Sequence, residues 1–117
     1  MSDLLGKYDY NTNSYKRMIG TEDWAEVADL GEGGYSWAEF KAFYSPSARR
    51  YFWHGDTGCS CNGWDDDLAT SADFQDGDRA ALLRAWETFA KENEYDITTP
   101  DYFAGVIEIN NFKEAQK

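Results

Sequence analysis

The sequence predicts an α+β fold in which a small antiparallel sheet has about two helices packed on one face. Three observations favour this fold. Two aromatic runs separated by a Pro-containing turn are typical of a β-hairpin. Further on, apolar residues recur at the spacing of an amphipathic helix, and a second helix start follows at Thr99. An antiparallel sheet covered by helices satisfies all of these apolar faces together.

Length and composition are those of one folded domain, residues 1–117. A chain of this length can bury about two-thirds of its extended surface, and its five Trp, eight Tyr and seven Phe supply a core. Disordered acidic chains lack such residues. No apolar run approaches the ~20 residues of a membrane span, and the N-terminus does not have the pattern of a signal peptide. We therefore expect a cytoplasmic protein without a membrane partner, with residues 1–13 as an arm or a first short strand.

A hairpin is predicted over residues 35–54. Ser36 and Glu39 would also fit the capping box of a helix, but strand-favouring aromatic residues crowd both sides of the turn signal at 45–48. Pro46 suits that turn, because its fixed φ is useful there and its missing N–H removes no ladder bond. Upstream lie two short segments of mixed apolar content and a glycine-rich turn: residues 15–20, residues 24–30, and Gly31, Gly33 and Gly34.

The first helix is predicted over residues 78–93. Asp76 and Asp78 place carboxylates near its N-terminus, where the helix dipole favours negative charge. Its apolar residues share one face and require a packing partner. That face consists of Leu82, Leu83, Trp86, Phe89 and Ala90.

The second helix is predicted to begin with Thr99 as the N-cap and Pro100 at the first helical position. Asp101 stands beside them, near the positive end of the helix dipole. Residues 106–109 could instead form a short strand, because Gly105 weakens the helical pattern. The inward residues expected for the helix are Phe103, Val106, Ile107 and Phe112.

The charge of the chain disfavours direct binding of nucleic acid. There are 22 acidic and 11 basic side chains, a formal net charge of −11. Affinity for phosphates comes from a stripe of Lys and Arg, and the sequence has no such stripe. The excess negative charge instead attracts basic surfaces. No Lys or Arg occurs between Arg50 and Arg79, and that interval holds a block of aspartates: Asp56, Asp65, Asp66, Asp67, Asp73, Asp76 and Asp78. Such a block is either a solvated loop or a binding surface.

One motif concentrates reactive side chains, the run His54-Gly55-Asp56-Thr57-Gly58-Cys59-Ser60-Cys61. Zinc accepts nitrogen, sulfur and oxygen ligands, which the motif could supply from His54, Asp56, Cys59 and Cys61. A lone C-x-C pair with one His lacks the duplicate pair that structural zinc sites use. Zinc is therefore the alternative, and no cofactor is the first expectation.

Two other interpretations of this motif remain. Asp56-Thr57-Gly58 is similar to half of a dimeric aspartic protease site, but a three-residue match is weak without a second sequence signal. In the structural interpretation Gly55 and Gly58 form a tight loop. The two thiols are then reduced and partly buried as small apolar groups. A redox pair is less expected, since no C-x-x-C followed by a helix is present to lower a thiol pKa.

Three segments resemble a family of small uncharacterised proteins encoded by bacteriophages of actinobacteria: Tyr35-Ser36-Trp37, Tyr51-Phe52-Trp53 and Asp56-Thr57-Gly58-Cys59-Ser60-Cys61. The resemblance covers residues 24–67. It departs at Asn62-Gly63-Trp64, where members often carry Pro followed by aromatic and acidic residues. The resemblance implies an accessory phage protein in the cytoplasm of an infected bacterial host and favours a strand before the motif. The family brings no established activity with it.

Together these observations predict a non-enzymatic interaction module that binds and inhibits a host or anti-phage-defence protein with a basic surface. Trp64 lies between a glycine and aspartates, so we expect it to be exposed and to serve as a binding anchor. The residues expected to bind the partner are Trp64, Asp65, Asp66, Asp67, Asp73 and Asp76. The alternatives are a nucleic-acid mimic, with carboxylates spaced like phosphates, and a small zinc-binding protein.

Overall fold

The fold is known from a computed structural model, which describes residues 5–32 and 36–114. Strands β1 to β6 and helices α1 and α2 follow one another along the chain: β1 Gly6–Asp9, β2 Ser14–Arg17, β3 Ala25–Glu32, β4 Ser36–Ser45, β5 Arg50–Cys59, β6 Gln75–Gly77, α1 Arg79–Glu92 and α2 Thr99–Asn111. β1 and β2 form a two-stranded antiparallel sheet, and β3 to β6 form a four-stranded antiparallel sheet in sequential order. This confirms the predicted α+β fold. Gly33 and Gly34 of the predicted glycine turn lie outside the described residues.

The predicted hairpin is confirmed as the pair β4–β5, in register from Ser45 opposite Arg50 to Ser36 opposite Cys59. The Ser45 carbonyl accepts the N–H of Arg49 at 2.8 Å and so closes the turn. The second strand continues to Cys59, five residues past its predicted end. The longer strand carries most of the reactive motif into the sheet.

One face of the large sheet packs against both helices. Helix α1 begins after Asp78, whose carboxylate accepts the N–H of Ala81 at 2.8 Å as an N-cap. The predicted inner face of α1 is confirmed, with Leu82, Trp86 and Ala90 buried. The buried residues of this core are Val27, Ala28, Phe40, Ala42, Tyr44, Tyr51, Trp53, Leu82, Trp86, Ala90, Ile97 and Ile109.

Helix α2 differs from its prediction in two respects. Its N-cap is Thr98, which forms a capping box with Asp101, so Thr99 is already helical. Phe103 and Ile107 are 57% and 60% exposed rather than inward. The predicted inward positions of Val106 and Phe112 are confirmed. Tyr102, Gly105 and Ile109 complete the inner side, and Phe112 packs just beyond the helix. Neither described helix is long and apolar enough to cross a membrane.

The other face of the sheet has a second core. Alternation along β4 sends Trp37 and Phe43 to this face, opposite Phe40 and Tyr44. The face is covered by the β1–β2 region and by residues 60–74, which connect β5 to β6. The buried residues of this cluster are Leu5, Met18, Trp24, Trp37, Phe43, Trp64, Leu68 and Phe74. We call residues 60–74 the acidic loop.

Candidate functional site

Trp64 holds the acidic loop against the sheet. Its side chain is only 6% exposed, and its ring lies against those of Phe43, His54 and Phe74. The indole N–H donates a 2.7 Å hydrogen bond to the carbonyl oxygen of His54. The predicted exposure of Trp64 is therefore wrong, because an indole can be buried when a nearby carbonyl accepts its N–H. Trp64 supports the surface and is not a solvent-facing anchor.

Lys7 of β1 attaches the same loop at a second place. Its Nζ donates to the carbonyl oxygens of Asp65 and Leu68 at 2.9 and 2.7 Å. Leu68 is itself buried in the second core. Two tight turns join these points, since Asp66 N–H bonds to the Gly63 carbonyl and Leu68 N–H to the Asp65 carbonyl, both at 3.1 Å. The backbone that carries Asp65, Asp66 and Asp67 is thus fixed.

These three residues, which we call the aspartate triplet, point negative charge outward. Asp66 and Asp67 are exposed and Asp65 is half-buried. The Asp66 carboxylate accepts the N–H of Gly63 at 3.0 Å, which orients it without neutralising it. Within residues 5–32 and 36–114, none of the three is ion-paired with Lys, Arg or His. The triplet is therefore an acidic patch without ion pairs among these residues, on a backbone held by Trp64 and Lys7.

The other two aspartates expected at the surface have structural partners. Asp73 accepts the N–H groups of Thr70 and Ala69 at 3.0 and 2.7 Å. These hydrogen bonds hold the pKa of Asp73 below its ordinary value. Asp76 forms a 2.8 Å ion pair with Arg50 Nε. Both side chains are exposed, but the acidic patch has its centre at the triplet.

Strand β5 runs through the motif that begins at His54, so the tight loop predicted there is wrong. Neither Gly55 nor Gly58 has a positive φ. A Cβ on Gly55 would lie 2.7 Å from the ring of Phe89, and a Cβ on Gly58 would lie 2.4 Å from Asn62 Oδ1. The two glycines make room for neighbouring side chains and do not turn the chain.

Alternation along β5 separates the candidate zinc ligands. His54 and Asp56 lie on the same face of β5, with 3.8 Å between Nε2 and Oδ2. Cys59 is an odd number of positions from both, so its side chain lies on the opposite face. Among the described residues, His54 Nε2 is buried without a hydrogen bond, and no group of three His, Cys, Asp or Glu is placed to hold a metal. The structure does not bring His54, Asp56, Cys59 and Cys61 together.

One charged group beneath the acidic loop was not predicted from the sequence, the ammonium of Lys41. It lies 2.6 Å from Asp29 Oδ1, 3.0 Å from Glu39 Oε1 and 5.4 Å from the centre of the Trp64 ring. Burial opposes its charge, but the two carboxylates outweigh burial and raise the pKa of Lys41. The sequence feature that could have predicted this position is the alternation of β4, which places Glu39 and Lys41 on the same face as Phe43.

Both thiols lie at the turn that ends β5, residues 59–62, which we call the dithiol turn. They are exposed, so their predicted partial burial is wrong. Cys59 is the last paired residue of β5, and Cys61 lies in the turn beyond it. Their Sγ atoms are 2.7 Å apart. The contact with the Cys61 thiol lowers the pKa of Cys59, and the contact with Cys59 raises that of Cys61.

Comparison with known proteins gives a family but no function. No curated protein and no solved structure matches the chain. One family model, described as a domain of unknown function, DUF7574, matches residues 10–111. The matched range includes the acidic loop, the dithiol turn and both helices. Because the match covers most of its length, the chain belongs to the DUF7574 family.

Proposed function

We propose that this protein is a non-enzymatic interaction module whose acidic loop binds a basic surface on another protein. The observation that carries the proposal is the aspartate triplet, which lacks ion pairs among the described residues and stands on a fixed backbone. A fixed loop lowers the ordering cost of association. Carboxylates without ion pairs among the described residues, on a chain of net charge −11, attract a cationic partner and accelerate its encounter.

The class of partner follows from the resemblance to actinobacteriophage proteins. We propose that the protein is phage-encoded, acts in the cytoplasm of the infected host, and binds and inhibits a host or anti-phage-defence protein. Proteins that handle nucleic acid carry basic faces, because phosphate affinity comes from Lys and Arg. An acidic patch can occupy such a face and so block it.

Mimicry of nucleic acid along an extended row of carboxylates is less well supported. Such a row needs several aspartates free of internal partners over a long face. Here Asp73 caps backbone amides and Asp76 pairs with Arg50. The triplet that remains occupies three consecutive positions, which favours one compact basic site.

Replacing the triplet by asparagine tests the proposal. Asp65→Asn, Asp66→Asn and Asp67→Asn together remove three charges and keep the side-chain shapes. A matched control removes three exposed carboxylates from the helical layer, through Glu92→Gln, Glu94→Gln and Glu108→Gln.

Tagged wild-type protein, triplet variant and control are each used to capture proteins from an actinobacterial lysate at low and high ionic strength. We expect a discrete set of captured proteins that the control retains and the triplet variant loses, and that high salt releases. Equal capture by the triplet variant, or equal loss in the control, would show that the acidic loop is not the contact.

A further inference from the structure

The dithiol turn overlaps the start of the acidic loop, but the proposed interaction does not use its two thiols. Cys59 and Cys61 are both exposed, and only Ser60 separates them. Their sulfur atoms lie 2.7 Å apart, so neither thiol has to move far to meet the other. Here the local backbone directs both sulfur atoms to the same place.

Three contacts hold the backbone of Cys59 in this position. Asn62 Oδ1 accepts the Cys59 N–H at 3.0 Å, the Asn62 N–H donates to the Cys59 carbonyl at 3.3 Å, and the indole N–H of Trp37 donates to that same carbonyl at 2.8 Å. Gly58 permits this arrangement, since a Cβ there would lie 2.6 Å from the Trp37 ring. Residues outside the C-x-C pair therefore preorganise it.

We propose that Cys59 and Cys61 are a redox-active dithiol, which low-molecular-weight disulfides oxidise to a reversible intramolecular disulfide. The Cys59 thiolate attacks one sulfur of the disulfide RS–SR, forms a mixed disulfide and expels RS⁻. Cys61 then gives its proton to solvent, and its thiolate attacks Cys59 Sγ and expels the second RS⁻. The net reaction converts two protein thiols and RS–SR into one protein disulfide and two RSH.

The order of attack follows from the environment of the two sulfur atoms. The Cys61 thiol stabilises a thiolate on Cys59, and the pKa of Cys59 is lowered accordingly. Exposure gives a small disulfide access to that sulfur. A disulfide that spans one residue closes a small ring, and strained, exposed disulfides are the ones that are readily reduced again. Reversible exchange is thus the chemistry that the turn favours over a permanent crosslink.

The test oxidises native protein with glutathione disulfide, quenches with acid and measures the intact mass. We expect a product lighter by two hydrogen atoms, at a rate independent of protein concentration, that returns to the dithiol on reduction. Cys59→Ser and Cys61→Ser should each stop at a stable glutathione adduct. Lasting adducts on the wild-type chain, or dimers joined between molecules, would overturn the proposal.

Preorganisation is tested separately, by measuring the thiol–disulfide equilibrium with glutathione in the native protein and again in urea. The effective concentration of the second thiol should be at least about tenfold higher in the native protein than in the unfolded chain. Asn62→Ala, which keeps both thiols, should lower the native value, while Asn110→Ala on α2 should not. Equal values in native and unfolded protein would refute a dithiol built by the fold. This result does not depend on whether the acidic loop binds a partner.

Discussion

The indole of Trp64 has two roles in the acidic loop. Its ring fills the space above Phe43 and Phe74, and its N–H satisfies the carbonyl of His54. Together with Lys7, which binds two carbonyl oxygens of the loop, it fixes the backbone on which the aspartates stand. The neighbouring carboxylates can therefore remain in solvent while the loop itself stays ordered.

Truncating Trp64 should separate these two roles. Trp64→Phe keeps an aromatic ring but leaves the His54 carbonyl without its donor, which we expect to cost about 1–3 kcal/mol of unfolding free energy. Trp64→Ala also loses the packing and should cost about 3–5 kcal/mol. Urea denaturation measures both values. Losses smaller than about 1 kcal/mol for the alanine variant would mean that the indole does not anchor the loop.

Asp73 gives a pH-dependent prediction. Its pKa in the folded protein is lowered by the N–H groups of Thr70 and Ala69, whereas in the unfolded chain it is about 3.9. The stabilisation is therefore present above pH ~4 and is lost as the pH falls through the folded pKa. Asp73→Asn should be less stable than wild type at neutral pH, and the difference should shrink in acid. Urea unfolding at a series of pH values checks this, and a difference that stays constant would contradict it.

At the scale of elements, strand β5 connects the two halves of the molecule. One of its faces packs under the helices through Tyr51 and Trp53, and the other meets the acidic loop through His54. Gly55 lies on the helical face, where Phe89 approaches too closely for a Cβ. A side chain at this position would push helix α1 away from the sheet.

Gly55→Ala should therefore destabilise the protein by about 1–3 kcal/mol through overpacking. Gly63→Ala is the matched control, since a Cβ at Gly63 would find its nearest atoms at an ordinary 3.7 Å. We expect the control to be close to wild type in urea denaturation. Equal stability of the two variants would show that the helix does not need the missing side chain of Gly55.

The elements that the sequence predicted well are those defined by local patterns. Helix α1 has a regular apolar period and an N-cap, and the β4–β5 hairpin has its turn signal at Pro46. The inner face of α2 was predicted only in part: Val106 and Phe112 do pack against the core, but the sequence pattern did not reveal Gly105. This residue, which has no side chain, lies against Trp86, and a Cβ there would be 2.6 Å from the indole nitrogen. A glycine adds no apolar side chain to the helical pattern, so the pattern does not show that another residue packs against it.

For the acidic loop, the sequence predicted the exposed charges but not the buried contacts. Its aspartates could be read directly from the sequence, because exposure is the default for carboxylates. The burial of Trp64 and Leu68 could not, since their sites are made by β1 and by the far face of the sheet. A loop has no helical or strand periodicity in its apolar residues, so its sequence does not indicate which other parts of the chain bury them.

On the scale of the whole molecule, the sheet is enclosed between two unlike layers. The helices cover one face, and the acidic loop with the β1–β2 region covers the other. The loop layer presents the triplet, and beneath it Lys41 is already bound to Asp29 and Glu39. Because Asp29 and Glu39 already bind the ammonium of Lys41, Lys41 does not neutralise the aspartate triplet.

We propose that the aspartate triplet is the contact surface for a basic protein, and crosslinking in cells tests this proposal most directly. A photo-crosslinking amino acid placed at Asp67, and in a second variant at Glu94 on the helical side, tests it inside actinobacterial cells. We expect one discrete crosslinked partner from position 67, lost when Asp65 and Asp66 are replaced by Asn, and none from position 94. A partner crosslinked equally from position 94, or from position 67 regardless of the neighbouring charges, would contradict it.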